Sequence, residues 1–342
     1  MAHLAEIDSL EIEVVVDNEV DPMSSYTNEG IEVGGRFVDV AIGSTHPAPG
    51  RANAVKELRL DSLCCGAHGL SLMITATKGD TKHTMLFDTG PEEQIWDMNA
   101  KRLRADLAKI ETIHLSHWHK DHSGGMLRAI PLINAAKKAS PSAPQTLVAD
   151  LHPARPDYRG FMTPMGPISL EADPSFEEIS AAGATVSKHA ETHTVLDDMF
   201  LISGEIPRVT PYEVGVPRGA RFSKETGMWE PDEKIADERF VMCNVKGKGL
   251  VVFSGCSHAG VVNVTKNAVD LGNGVPLFSV MGGYHLVQCE DSTITETVAD
   301  LKKMDPKLLL PGHCSGWKVK YEINKEMPGR LAPSTVGTKF KI

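Results

Sequence analysis

Apolar and polar residues alternate along L-E-I-E-V-V-V-D at 10–17, and this period of two predicts a first β-strand. Similar runs predict strands over 58–63 and 70–77. T-M-L-F-D-T-G at 84–90 reads as a buried strand that ends in Asp88, Thr89 and Gly90. Helical spacing follows over 92–109 and 123–138, with Pro131 expected to kink or shorten the second helix. Further strands are predicted over 146–151, 184–188 and 198–203. R-F-V-M-C-N-V (239–245) and G-L-V-V-F-S-G (249–255) read as a hairpin about Lys246-Gly247-Lys248. The last stretch predicts a helix near 260–271, a strand in 276–285, a helix over 292–304 and a strand in 307–313. Alternating strands and helices define an α/β protein. We expect one domain over 1–342, with irregular insertions near 18–56, 152–174 and 204–237. The Pro-rich 152–174 segment would be a lid or a rim.

The densest chemistry follows the short β-type run Thr112-Ile113-His114-Leu115-Ser116. His117, His119, Asp121 and His122 fall within six residues and lead into Ser123-Gly124-Gly125. Alternate residues of an extended segment share a face, so His117 and His119 point the same way. Asp121 and His122 arrive on the turn itself. Imidazole and carboxylate are ligands of zinc, and also of iron or manganese in mixed nitrogen and oxygen sites. The spacing suits two metal ions that share one loop. Three later strands also end in His-bearing turns, at Cys256-Ser257-His258, Gly283-Tyr284-His285 and Gly312-His313. In open α/β sheets ligands gather at the carboxyl ends of strands, which points to one site fed by several strand ends. Asp88 either caps the next helix or orients a metal ligand.

Composition narrows the partners. The chain has 342 residues, 41% hydrophobic, and a formal charge of −10. No run of Lys or Arg offers a surface for nucleic acid or an anionic membrane, so the expected partner is a small-molecule substrate, with a homo-oligomer left open. No apolar stretch reaches the length of a membrane span, and the first residues lack a leader pattern. Six cysteines without paired spacing predict free thiols, and a cytoplasmic location is expected.

Taken together, these motifs resemble the metallo-β-lactamase superfamily, and within it the dihydropterin-aminobenzene ribofuranosyl-phosphate synthase-like group. The residues that carry the likeness are V-D-N (16–18), H-G-L-S (68–71), L-F-D-T-G (86–90), L-S-H-W-H-K-D-H-S-G-G (115–125), G-E-I-P-R (204–208), G-C-S-H-A-G (255–260), G-G-Y-H-L (282–286) and G-H-C-S-G (312–316). The resemblance implies an αββα sandwich, two mixed β-sheets flanked by helices, with a two-metal site on one edge. His117 and His119 would hold one ion, Asp121 and His122 the other, and His313 matches the superfamily's final histidine.

The chain departs from the pattern in three places. Gly204-Glu205 stands where a Gly-His pair supplies an intermediate ligand, Cys256 stands where Asp is commoner, and Ala67 stands where the group usually has Glu. His258 is a candidate for the missing ligand, as are His189 and His193, although K-H-A-E-T-H-T reads as a solvated loop. Cys256 is a candidate bridge. The function expected is metal-assisted hydrolysis of an ester, amide or phosphate-type substrate by a metal-bound water aligned by Asp121, with two divalent ions, zinc first. A synthase of the resembled type, or a non-catalytic ligand-binding relative, is the alternative. His68 and His285 are candidates for substrate binding or proton transfer, though each also reads as a structural turn histidine. Arg208 is a candidate for an anionic group.

Overall fold

The computed structural model describes residues 3–24, 28–43, 50, 52–53 and 56–342. Strand Ser9–Val16 shows how the layers arise. Leu10, Ile12 and Val14 face one way into a central core, and the register shifts between the Val14 and Val16 pairings with strand Ser71–Lys78. After that shift Val15 and Val16 pack in a different, outer cluster. Strand Gly249–Ser254 divides by the same rule, with Val251 and Phe253 in the central core and Leu250 and Val252 outside it.

Two sheets meet across that central core. The first runs Thr185–Lys188, Val148–Leu151, Ile110–His114, Thr81–Phe87, Ser71–Lys78, Ser9–Val16, Lys339–Lys341 and Glu32–Gly34 in spatial order. Its first four strands are parallel and the remaining pairings antiparallel. The second runs His193–Val195, Phe200–Ile202, Val241–Val245, Gly249–Ser254, Leu277–Gly283 and Leu308–Gly312, with Glu6–Ile7 beside Val241–Val245. Helices Glu93–Leu103 and Met126–Ala139 cover the first sheet through Trp96, Ala100, Ala129, Ile130 and Ile133. Helices Val261–Leu271, Asp291–Lys303 and Trp317–Glu326 cover the second through Val264, Val298 and Ile323. The order of layers is therefore helix, sheet, sheet, helix, as the resemblance implies. Full burial of each large aliphatic side chain contributes roughly 1.5–3 kcal/mol, so the double-sided burial of these strands favours this layered arrangement over an open sheet. Among the described residues no helix is long and apolar enough to cross a membrane.

Several expectations are corrected. Residues 58–63 hold the 3-10 turn Leu60–Ser62 rather than a strand. The segment 18–56, expected irregular and partly outside the described residues, contributes strand Glu32–Gly34 and helix Phe37–Ile42. The helix expected over 92–109 stops at Leu103, where Arg104 turns left-handed, and a 3-10 turn Leu107–Lys109 follows. Pro131 does not end its helix, which runs to Ala139. As the sixth residue of the helix Pro131 forgoes the one bond its missing N–H would make to the Leu127 carbonyl, and the helix continues past it.

The largest correction is a third, four-stranded sheet built from two segments expected to be irregular. Tyr158–Thr163 and Gly166–Ser169 come from 152–174, and Gly219–Ser223 and Met228–Pro231 come from 204–237. Tyr158–Thr163 pairs antiparallel with Gly219–Ser223. Tyr158, Phe222 and Trp229 link the strands through ring contacts of 6.2 and 5.5 Å.

Candidate metal centre

His114 ends a central strand of the first sheet, and the chain then bends through 116–118, where His119 N donates to the His117 carbonyl at 3.0 Å. His119 is extended (φ −133°, ψ 143°) just before the short helix Lys120–Ser123. His117 and His119 come together as expected, with Nε2 and Nδ1 2.9 Å apart, but through this tight turn and not through strand alternation; the fully buried Trp118 between them meets Phe176 edge-on at 5.5 Å. Gly124 and Gly125 are required by packing, because a Cβ at either would strike the carbonyl oxygens of Pro91 and Thr89.

Two donor sets converge at the strand ends. His117 Nε2, His119 Nδ1 and His258 Nε2 lie 2.9, 3.1 and 3.2 Å from one another. Asp121 Oδ2 is 3.2 Å from His313 Nε2 and 3.5 Å from His122 Nε2. Cys256 Sγ is 3.2 Å from both His122 Nε2 and His313 Nε2. The Cys256 sulfur also belongs to a compact group with His117 and His258, so it faces both sets. Ligands of a tetrahedral zinc, with bonds of about 2.0–2.3 Å, lie roughly 3.3–3.8 Å apart. The second set falls close to that spacing and the first is slightly tighter. Three imidazole nitrogens so close cannot all be joined by hydrogen bonds, and His258 Nδ1 is buried without a partner. The donors therefore fit a pair of divalent cations.

Electrostatics prepares the two sets differently. Burial, reinforced by His122, His119 and His258, pushes His117 well below the usual imidazole range. Burial and the nearby Arg159 bring His119 down to about 3, so this set stays neutral with its lone pairs free. In the second set burial also pulls His122 down, but Asp121 and Asp88 outweigh it and hold the ring up to about 9. Burial raises the Asp121 carboxyl, yet His122 and His313 hold it well below the usual range. Burial pushes the Cys256 thiol up, so its ionisation would need a cation.

Asp88 settles its two readings in favour of orientation. It does not cap helix Glu93–Leu103, whose N-cap is Glu92. Asp88 Oδ2 meets His122 Nδ1 at 2.6 Å and accepts from Ser116 Oγ at 2.8 Å, while Oδ1 accepts from Ser116 N at 2.8 Å. Ser116 Oγ in turn meets His117 Nδ1 at 2.9 Å, so one carboxylate orients a ring in each set. Asp88, Ser257, His285 and His313 all adopt positive φ (58°, 63°, 50° and 46°). Such conformations cost about 1–3 kcal/mol each and persist where surrounding contacts impose them.

Other expected residues lie close by. His285 meets His258 edge-on with ring centroids 4.4 Å apart. His68 lies 3.7 Å from Asp121, with its side chain 69% exposed against 23% for Asp121, so both reach the open side. Arg208 is engaged by backbone, its guanidinium donating to the carbonyls of His258 and Lys234. His189 and His193 are apart from both sets. They stack on each other at 4.1 Å, and His193 Nε2 meets Asp150 Oδ2 at 2.8 Å. His193 lies in a strand, not a solvated loop, and it is His258 that sits beside His117 and His119, at 3.2 and 3.1 Å.

Sequence reasoning missed two supports. Glu238 accepts from the backbone N–H of His258 and Ala259 at 2.8 and 2.7 Å. Asp17 accepts from His313 N at 2.8 Å. Asp17 directly follows strand Ser9–Val16, within the V-D-N stretch already noted, whereas Glu238 lies three residues before strand Val241–Val245 and no motif marks it.

Asp173 braces the metal loop from beneath by accepting from Ser123 Oγ. Burial outweighs the help from Ser123, Arg159 and Arg155 and lifts its carboxyl to about 6. The folded state thus holds a proton that an ordinary carboxyl, at 3.8, releases. This stability is complete below about pH 4, is lost as pH rises to about 6, and does not return above. Asp173→Asn is expected to flatten that slope and raise stability at pH 7.5 by on the order of 2 kcal/mol, read by urea unfolding at pH 4.5 and 7.5.

Comparison with known proteins agrees with this arrangement. The family model of the metallo-β-lactamase superfamily matches residues 68–195, the segment that contains Asp88 and the His117–His122 cluster. The chain is 27% identical over 275 residues to 7,8-dihydropterin-6-methyl-4-(beta-D-ribofuranosyl)-aminobenzene-5'-phosphate synthase of Methanocaldococcus jannaschii, covering 76% of this chain and 84% of the relative. An uncharacterised protein of the same organism is 25% identical over 260 residues, covering 75% and 88%. The crystal structure of Tm1679, described as a metal-dependent hydrolase of the β-lactamase superfamily, superposes with a TM-score of 0.66 at 20% identity, over 96% of this chain and 98% of that one.

Proposed function

We propose that this protein is an enzyme with a two-cation centre, zinc first among the candidates, that hydrolyses an ester, amide or phosphate-type bond in a small molecule. The observation that carries the reading is the position of Cys256, whose sulfur faces both donor sets. His117, His119 and His258 would hold one cation and Asp121, His122 and His313 the other, with Cys256 shared. When bound, such a pair lowers the pKa of a water and takes up charge on a developing oxyanion. The chain's own contribution is orientation by Asp88, and an ionised Asp121 on the open side that aligns the nucleophile and accepts its proton. Both sheets supply donors, which supports one domain over 1–342. Six free thiols support a reducing, cytoplasmic setting.

Group transfer is the second reading, supported by the similarity to the synthase over most of both chains. Phosphodiester, lactone and thioester panels test the two. Hydrolysis in one panel, reduced at least about 100-fold in a folded His119→Ala protein, supports the first reading. Pyrophosphate release that requires a second organic substrate replaces it with the second. Silence in both, with one cation or none bound, supports a binding module.

A further inference from the structure

We propose that Asn18 fixes the proton positions on two histidines at the open side of the second donor set, so that His68 presents an N–H there while His313 keeps Nε2 free. The orientation of the Asn18 amide follows from its backbone neighbour. Gly69 N lies 3.1 Å from Asn18 Oδ1, and a backbone N–H only donates, so that corner of the amide must be the oxygen. The same oxygen lies 3.0 Å from His313 Nδ1, which must therefore carry a proton, leaving Nε2 to face Asp121 and Cys256. The amide nitrogen is then the atom 2.9 Å from His68 Nδ1. An NH₂ group also only donates, so His68 Nδ1 is the acceptor and a neutral ring carries its proton on Nε2. That Nε2 is directed toward Asp121 Oδ2 at 3.7 Å, and the two rings sit 4.9 Å apart.

The anchor is rigid. Asp17 Oδ1 accepts from Asn18 N and from His313 N at 2.6 and 2.8 Å, and Asp17 Oδ2 accepts from Ser334 Oγ at 2.7 Å. The His68 turn is pressed against the metal loop, since a Cβ on Gly69 would strike the Asp121 carbonyl. An anionic group arriving at this side meets the His68 Nε2–H as a hydrogen-bond donor. Asn18 is the positioning residue in this arrangement. The His313 half rests on the two-cation reading, and the His68 half does not.

The test is a long-range ¹H–¹⁵N spectrum of the histidine rings of the metal-free protein at pH 8, assigned with His68→Gln. The expected result is Nε2–H on His68. In Asn18→Asp the carboxylate still accepts from Gly69 and His313 but cannot donate, so the His68 proton is expected to move to Nδ1. Zinc titration completes the test. Asn18→Leu is expected to weaken the weaker zinc site about 10–100-fold while Asn18→Asp retains it. Nδ1–H on wild-type His68, or Nε2–H kept in Asn18→Asp, overturns the His68 half. Unchanged zinc affinity in Asn18→Leu overturns the His313 half. Should Asn18→Asp fold poorly, the wild-type spectrum alone decides the first. A wild-type protein that binds no zinc contradicts the two-cation reading and leaves the His68 result standing.

Discussion

Cys256→Ala is expected to hold at most one cation per chain and to lose about 1,000-fold or more in turnover, equivalent to roughly 4 kcal/mol of transition-state stabilisation. The reason is the shared sulfur. Cys256 faces His117 and His258 on one side and His122 and His313 on the other, so its removal takes a ligand from both sets at once. Cys256→Asp is expected to recover the second cation and part of the turnover, because a carboxylate can also bridge two cations. Elemental analysis after zinc loading, alongside turnover, checks both. Two cations and undiminished turnover in Cys256→Ala would show that the sulfur is not a bridge.

Arg239→Met is expected to cost about 3–5 kcal/mol of folding stability, because it leaves a buried carboxylate without its fixed cation. Arg239 is fully buried and donates to Asp150 Oδ1 at 2.8 Å. Its side chain also supports the metal loop directly, with Nη2 on Leu115 O at 3.3 Å, whereas the backbone N–H that donates to Ser116 O at 2.8 Å is kept in the variant. His114 and His193 share the Asp150 carboxylate, and with Arg239 they hold it well below the usual range despite burial. Denaturant unfolding at pH 7 reads the loss. A change under about 1 kcal/mol would mean that the two histidines alone satisfy Asp150.

The legible parts of the fold were those buried on both faces. Strands such as Gly249–Ser254 and Leu277–Gly283 are buried along their whole length and stand out in the sequence as unbroken apolar runs. The third sheet was illegible for the opposite reason. Gly166–Ser169 is exposed at three of its four positions and Met228–Pro231 at two, so no period of two is written into either. Each of these strands pairs locally in a hairpin, and the two hairpins are joined across the sequence by the Tyr158–Phe222 contact and by Arg159, which reaches to Asp232, Asp237 and the Trp118 carbonyl.

The candidate centre divides in the same way. Four residues in one loop were legible because the chemistry is local. His258, Cys256 and His313 were named from short turns, but only the layering of the sheets brings those turns to the loop. Asp17, Asn18 and Glu238 act on backbone N–H groups or on a second ring atom, and such roles leave no spacing in the chain.

Anomalous diffraction from crystals of the zinc-loaded protein tests the central claim most directly. Two peaks are predicted, one among His117, His119 and His258 and one among Asp121, His122 and His313, each about 2.3 Å from the Cys256 sulfur. A single peak with Cys256 unbound, or zinc held instead at Asp150, His189 and His193, would contradict it.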